Sequence, residues 1–437
     1  MKNNLKKIVT FILILESKLI LWKYKPRIVA ITGTVGKTST KDAIYQSLSQ
    51  FYFIRKSDKS YNSEIGLPLT ILGVPNAWDH PIGWLKNLCY GLWLFIWPHT
   101  YPEWLVLEVG VGKPGDMART ALWLKTDVVV ITAIGQLPVH IEFFNSREHL
   151  IKEKAGLIKT LKKDGVLILN ADDDAVLDMK VNSKHTFFTY GFNSNADVVA
   201  SSEQISYTDG KNGEIIKPDG IAFRVDVEGK SLPVQLDGVF GKNHIYSALA
   251  SITFSFSQKL NLLTTVNALK KFDAPLGRMH LLSGINDTSI LDDTYNSSPF
   301  ATTSALKTLG ILQHINRKIA VLGDMLELGK HTEEAHYALG ILVKENNIDI
   351  LCVVGPRAKF IKQGAIQAGM KEDNIFEFDT SREVGEFLKS FIIKGDCILI
   401  KGSQGMRMER TVEAILLDIK NKKNLLVRQD VEWVNKL

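Results

Sequence analysis

Residues 27–40 read RIVAITGTVGKTST, a short apolar strand that passes directly into Thr32-Gly33-Thr34-Val35-Gly36-Lys37-Thr38-Ser39 and then into a helix-like segment. Strand, glycine-bearing loop and helix in this order make a phosphate cradle. Glycines let backbone N–H groups approach phosphate oxygens, and the helix N-terminus adds positive potential. In that reading Lys37 neutralises the β- and γ-phosphates of a bound nucleotide and the Thr38 hydroxyl reaches Mg²⁺. Thr32, Gly33, Thr34, Gly36 and Ser39 complete the candidate nucleotide contacts. Position 31 is Ile, a departure from the GxxxxGK[ST] spacing, and the alternative is a chance glycine turn ahead of a helix.

Outward from this loop, short apolar strands alternate with helical segments: RIVAIT, TSTKDAIYQSLSQ, WLVLEVG, DVVVIT, a Lys-rich helix from Ser146, and GVLILN. Such alternation predicts an α/β fold built on a parallel sheet. From His185 to Phe240 polar and apolar residues alternate, with turns at TDGKNGE, KPDG and VEGK, which predicts a small antiparallel β insert. A helix over Ile245–Phe256 follows, and Phe272–Arg278, with Pro275 and Gly277, reads as a hinge. Beyond it TSILDD, KIAVLGD, IDILCVVG and DCILIKG are strands, with helices near 301–312, 332–344, 381–392 and 408–419. The expected organisation is an N-terminal amphipathic segment (1–26), a central P-loop ATPase-like parallel-sheet domain (27–272, insert about 185–240) and a C-terminal Rossmann-like α/β domain (273–437).

The chain has 437 residues, of which 45% are hydrophobic and 23% charged, a composition that excludes disorder and collagen. Its three cysteines, Cys89, Cys352 and Cys397, are scattered, so no zinc site or disulfide framework is encoded and a reducing cytoplasm is the natural setting. The net charge of +6 is mild, and nothing points to nucleic acid. Near the N-terminus the apolar run Ile8–Leu15 is broken by Glu16 and Lys18, short of a spanning helix, and no small-residue cleavage site follows. Residues 84–104 hold four of the eight tryptophans. For both stretches, packing against the chain's own core and peripheral membrane contact, aided by Lys6, Lys7, Lys23, Lys25 and Lys86, stay open.

Glu108 ends the strand WLVLEV, where a buried charge needs a partner and a metal ion would supply one. His140, after DVVVIT, is a candidate second ligand, a solvated loop histidine being the alternative. Lys154 follows fourteen residues later in a Lys-rich helix whose plain reading is a cationic face.

TGTxGKTS, Glu108, His140 and Lys154 together resemble the ATP-dependent Mur ligases, which build peptidoglycan precursors for cell-wall growth, cell shape and division. Asp292-Asp293-Thr294-Tyr295-Asn296-Ser297-Ser298-Pro299, LGDMLELG (322–329) and KGSQGMRMER from Lys401 are similar to the branch that adds D-alanyl-D-alanine. The resemblance spans about residues 27–420. It implies ATP-driven activation of a muramyl-peptide carboxylate as an acyl phosphate, which the amine of D-alanyl-D-alanine attacks. It also implies that Lys154 is carbamylated and joins Thr38, Glu108 and His140 around Mg²⁺, with Lys152 a weaker competitor. Asn243 and His244 would lie near adenine, Asp293 near ribose hydroxyls and Arg278 near phosphate. The chain departs from the family in reading Gly241-Lys242-Asn243-His244-Ile245-Tyr246-Ser247-Ala248 where GxHNxxNA is usual, and in Ser297 and Ser298. Relatives also place a UDP-binding domain before the loop, which the expectation here omits. Competing readings are a related ligase acting on a lipid-linked or altered precursor and a non-catalytic nucleotide-binding scaffold. Oligomeric state is not encoded in any motif.

Overall fold

The computed structural model describes residues 3–58, 61–78, 80–135, 144, 146–208, 216–272, 274–430 and 433. The chain forms two compact units. One comprises Met1–Ser202, Phe223–Val234 and Asn243–Asp273, the other Glu203–Ala222, Gln235–Lys242 and Ala274–Leu437.

The strands of the first sheet are β1 (Arg27–Thr32), β2 (Ile54–Lys56), β3 (Trp104–Glu108), β4 (Thr126–Ile131), β5 (Leu161–Asn170), β6 (Thr186–Gly191), β7 (Val198–Tyr207), β8 (Pro218–Val227) and β9 (Lys230–Asp237). Their spatial order is β2-β3-β1-β4-β5-β6-β7-β8-β9. All of β3 and nearly all of β1 and β4 are buried, as expected of central parallel strands covered on both faces. From β1 the chain goes first to one side, to β2 and β3, and then to the other, to β4 and β5. The carboxyl end of β1 is therefore a topological switch point, where crossovers leave in opposite directions and open a crevice.

Helices α1 (Asn3–Tyr24), α2 (Lys37–Leu48), α3 (Gly66–Leu72), α4 (Pro81–Ile96), α5 (Asp116–Ala121), α6 (Arg147–Ala155), α7 (Asp174–Leu177), α8 (Lys242–Ser257) and α9 (Leu262–Lys270) accompany these strands. Ile28, Ala30, Leu105, Leu107, Val129 and Ile131 share one core with Leu67 and Leu69 of α3 and with Val9, Leu13 and Ile20 of α1. The N-terminal helix thus packs on its own unit, although Phe11, Leu15 and Trp22 on its other face are exposed.

The stretch expected to be antiparallel from His185 onward differs. β6 joins β5 in parallel and β7 joins β6 in parallel, so both extend the main sheet. Alternating burial runs along β8 and β9; β6 is exposed at its start and buried over residues 189–191, the continuous burial of a strand that extends the parallel sheet. The VEGK turn falls between β8 and β9, and Glu228 and Gly229 take positive φ of 46° and 72°, as a two-residue type I′ turn requires.

The second sheet contains β10 (His280–Gly284), β11 (Thr288–Asp293), β12 (Lys318–Gly323), β13 (Ile350–Val354), β14 (Ile375–Phe378) and β15 (Cys397–Lys401), in the order β10-β11-β15-β12-β13-β14. Only the β10–β11 pair is antiparallel among its registers. Helices α10 (Pro299–Ile311), α11 (Thr332–Glu345), α12 (Lys359–Gln367), α13 (Ser381–Phe391), α14 (Glu409–Ile415) and α15 (Lys422–Leu425) complete this unit. Thr380 and Glu383 close a capping box at the start of α13, and Val384, Leu388 and Val412 pack against Ile319, Val321, Ile398 and Ile400.

Glu16, on α1, is buried and its Oε2 has no hydrogen-bond partner. Burial pushes its carboxyl from 4.5 up to about 7. The folded chain then holds a proton that the unfolded chain releases, so the stability tied to this site is full at low pH and lost as pH rises through the folded value. Thermal melts at acid and mildly alkaline pH should therefore show Glu16→Gln gaining on the wild type only in the alkaline melt. An identical pH slope for the two proteins would contradict this.

Candidate active site

The loop after β1 is built by close backbone approach. Gly33 has φ of 147°, and a Cβ there would meet the Thr132 Oγ1 at 2.0 Å and the Ala133 carbonyl oxygen at 3.1 Å, so a side chain would force the segment just after β4 to give. Thr34 and Val35 donate their backbone N–H groups to the Ala133 carbonyl at 2.6 and 3.2 Å, and the Thr132 hydroxyl donates to the Val35 carbonyl at 2.7 Å. Gly36 caps α2 in the left-handed region with φ of 84°, where a Cβ would be strained. Lys37 opens the helix and donates to the Thr34 carbonyl at 3.3 Å. The first-turn N–H groups of α2 have no acceptors within the helix, which suits an anion.

Glu108 lies beside Ile31 in the β1–β3 register and is 2% exposed. Thr38 donates its hydroxyl to Glu108 Oε2 at 2.9 Å, Asn62 donates its amide to Oε1 at 3.0 Å, and the Glu108 backbone N–H donates to Ser57 Oγ at 3.3 Å. A hydroxyl and a carboxylate in direct contact at a helix N-terminus make a hard-oxygen pair suited to Mg²⁺. Lys154 is on α6, whose N-cap Ser146 accepts from the His149 N–H. Lys154 is buried and donates its Nζ to the Gly33 carbonyl at 2.8 Å, whereas Lys152 is exposed. Burial, and then the Lys37 charge, hold the Lys154 amine well below the ordinary lysine range. A neutral amine is the form that adds CO₂, and the resulting carbamate would supply a further anionic oxygen.

Gly33, Lys37, Thr38, Glu108 and Lys154 are thus brought together around one loop. Thr32 and Ser39 are buried beside it. His140 lies outside the described residues. The chain leading toward it is fixed at Ile134 and Gly135, whose N–H groups donate to Asp173 at 2.7 and 3.0 Å. Asn243 and His244 stand in the first turn of α8, with the buried His244 ring set edge-on to Phe272 at 6.0 Å. Among the described residues no group of three His, Cys, Asp or Glu side chains forms a metal cage.

The second unit gathers its own set. Asp293 and Lys401 are register neighbours at the carboxyl ends of β11 and β15, and Lys401 pairs with Asp293 at 2.6 Å and donates to the Asn296 carbonyl at 2.9 Å. The Arg278 guanidinium lies 4.2 Å from the Tyr295 ring centre. Asp292, fully buried and accepting from the Thr294 N–H and hydroxyl, is pushed up to about 7 by burial. After β12, Asp324 accepts from the Arg357 and Ala358 N–H groups, and its carbonyl accepts from the Ser403 N–H. The three separated C-terminal motifs therefore converge on the carboxyl edges of the adjacent strands β11, β15 and β12.

Asn62 and Lys401 were not singled out by sequence as site residues. Asn62 sits in a polar run, Tyr61-Asn62-Ser63-Glu64, whose only signal is its place before an apolar helix. Lys401 carried the signal of a charge ending an apolar strand, the same one that marked Glu108.

A family model for the Mur ligase middle domain matches residues 31–82 and 89–254, and one described as Mur ligase, glutamate ligase domain, matches residues 277–404. The chain belongs to the Mur ligase family. Among curated relatives of this Mur ligase, the UDP-N-acetylmuramoyl-tripeptide–D-alanyl-D-alanine ligase of Bacillus subtilis is 28% identical over 392 residues, 89% of this chain and 76% of the relative. The enzyme of the same name from Escherichia coli is 26% identical over 393 residues, 89% of this chain and 76% of the relative. A MurF ligase of Thermotoga maritima solved in complex with ADP superposes with a TM-score of 0.74 at 25% identity, covering 94% of this chain and 84% of that one.

Lys37 caps an accessible loop rather than filling a core, so its loss should spare the fold. Lys37→Ala is expected to lower ATP turnover by about a hundredfold or more while leaving the melting temperature unchanged. Undiminished phosphate release from ATP would remove the loop from the reaction.

Proposed function

We propose that this Mur ligase, an ATP-dependent ligase, joins D-alanyl-D-alanine to the tripeptide of a muramyl-peptide peptidoglycan precursor. The observation that carries the reading is the contact of Thr38 with Glu108 beside the Lys37 loop, in a chain whose curated relatives are named for that reaction. A carboxylate oxygen of the tripeptide attacks the γ-phosphorus of ATP and ADP leaves. The amine of the dipeptide then attacks the acyl carbon, the phosphate departs with the bonding pair, and the amine loses its proton.

The loop N–H groups and Lys37 hold the phosphates in line and offset the charge that develops on the transferring group. Thr38, Glu108 and a carbamylated Lys154, with His140, would hold Mg²⁺. When bound, the cation supplies Lewis-acid stabilisation of the phosphoryl oxygens. Gly33, through its carbonyl, orients Lys154, and Asn62 orients Glu108. Asp293, partnered by Lys401, is assigned to the ribose, Arg278 to phosphate, and Asn243 and His244 to the adenine side. In this scheme residues 27–272 form the central ATP-binding domain and residues 273–437 the C-terminal domain. A lipid-linked precursor is the second reading, favoured by the exposed apolar residues of α1 and α4.

Phosphate release from ATP, measured with soluble UDP-linked and lipid-linked muramyl tripeptides, should require both the tripeptide and D-alanyl-D-alanine. Release that ignores the dipeptide would reject the ligation assigned here. For Lys154, the neutral-amine argument predicts that Lys154→Ala is inactive and regains part of its turnover with added short carboxylic acids, which replace the lost carboxylate. Full activity of Lys154→Ala without additive would reject the carbamate.

A further inference from the structure

Helices α1 and α4 run side by side in the same direction. Glu16 of α1 faces Gly91 of α4, where a Cβ would meet the Glu16 Oε2 at 2.2 Å. Further along both helices, Lys23 donates to the carbonyls of Leu94, Phe95 and Trp97 at 3.2, 2.7 and 2.6 Å, satisfying the open C-terminal end of α4. Tyr24 donates to the Leu94 carbonyl at 2.9 Å. Trp84, Asn87, Gly91 and Leu94 form the buried stripe of α4.

Away from that seam both helices stay apolar. Phe11, Leu15 and Trp22 repeat at helical spacing on the outer side of α1, Phe11 being 69% and Trp22 70% exposed. On α4, Ile82 is 83% and Leu85 62% exposed, and Trp93 is exposed after them. Scattered exposed apolar residues are ordinary, but stripes on two adjoining helices are not. Charge divides as sharply. Glu16, the sole acidic residue in the two helical segments, is buried in the seam, while Lys6, Lys7, Lys18 and Lys86 are exposed. The outward surface is therefore apolar and cationic, with its one carboxyl withdrawn.

We propose that this outward face of α1 and α4 docks on an anionic lipid bilayer, with both helices lying in the headgroup plane. Apolar side chains enter the acyl boundary, tryptophan rings sit at the interface, and the lysines meet lipid phosphates. Among the described residues no helix is long and apolar enough to cross a membrane, which fits a surface position rather than a span. A second copy is the poorer occupant. A two-fold pairing of the face with itself would set Lys18 and Lys86 among their own counterparts, like charge against like charge. The inference stands on this surface alone and is independent of the ligation reading.

Flotation of the full chain with phosphatidylcholine vesicles, with and without phosphatidylglycerol, tests it. The chain should float with the phosphatidylglycerol vesicles at low salt, and less as salt rises. The double variant Ile82→Asp, Leu85→Asp changes exposed positions and should lose binding while keeping its circular dichroism and melting temperature. The double variant Lys18→Glu, Lys86→Glu should weaken binding to the anionic vesicles by more than about tenfold, a reversal of two lysines each contributing about 1 kcal/mol. It keeps the test decisive if the aspartate variant folds poorly. No flotation at low salt, or unchanged flotation of folded variants, would overturn the proposal. So would a dimer in sedimentation equilibrium that Ile82→Asp dissociates while the wild type ignores vesicles.

Discussion

A carboxylate buried at the carboxyl end of β3 is the constraint on which the first unit turns. Glu108 is sealed among strands where an unsatisfied charge would cost several kcal/mol, so its oxygens must be met. Thr38 and Asn62 meet them, and each fixes something larger. To reach Glu108, Thr38 must stand in the first turn of α2, which requires the left-handed Gly36 as its cap. To reach it from the other side, Asn62 must be held in the segment that leads into α3. The same contact that satisfies the carboxylate places two hard oxygens at a helix N-terminus, beside the lysine of the loop.

Gly33 plays the corresponding part for the backbone. Its missing side chain lets the loop press against Thr132 just after β4, and its carbonyl accepts the amine of Lys154. Burial and a neighbouring cation disfavour the protonated amine, so a residue that composition assigns to a solvated face is instead an inward one with altered chemistry. All of this happens where the strand order reverses, which is the place an open parallel sheet leaves free for a ligand. The second unit repeats the principle with Asp293 and Lys401 across two neighbouring strands.

Much of this was legible in the sequence because it is written in local order. RIVAIT followed by the glycine loop, and the charges ending WLVLE and CILIK, mark strands and their carboxyl edges without any tertiary knowledge. Strands β11, β12, β13 and β15 and the helices α10, α11 and α13 fall close to their expected limits, whereas β10, β14 and α12 were not expected. Pairing direction was not legible, since no local pattern in TFFTYG or VVASSEQISY distinguishes a parallel from an antiparallel neighbour, and β6 and β7 pair in parallel. Lys154 was marked by resemblance rather than by periodicity, because a Lys-rich helix does not reveal which lysine turns inward. Asn62 escaped because its role depends on a residue 46 positions away. For α1 and α4 the sequence left core packing and membrane contact both open, because a mostly apolar helix does not tell which side its own core will cover.

The central claim is that the loop around Lys37 and Glu108 passes the γ-phosphoryl group of ATP to a peptide carboxylate. Turnover of a muramyl tripeptide labelled with heavy oxygen in its terminal carboxylate tests it most directly, with mass analysis of the released phosphate. The account predicts that each phosphate formed in ligation carries one labelled oxygen from the peptide, because the bond broken in the second step lies between the acyl carbon and that oxygen. Unlabelled phosphate accompanying the ligated product would contradict it.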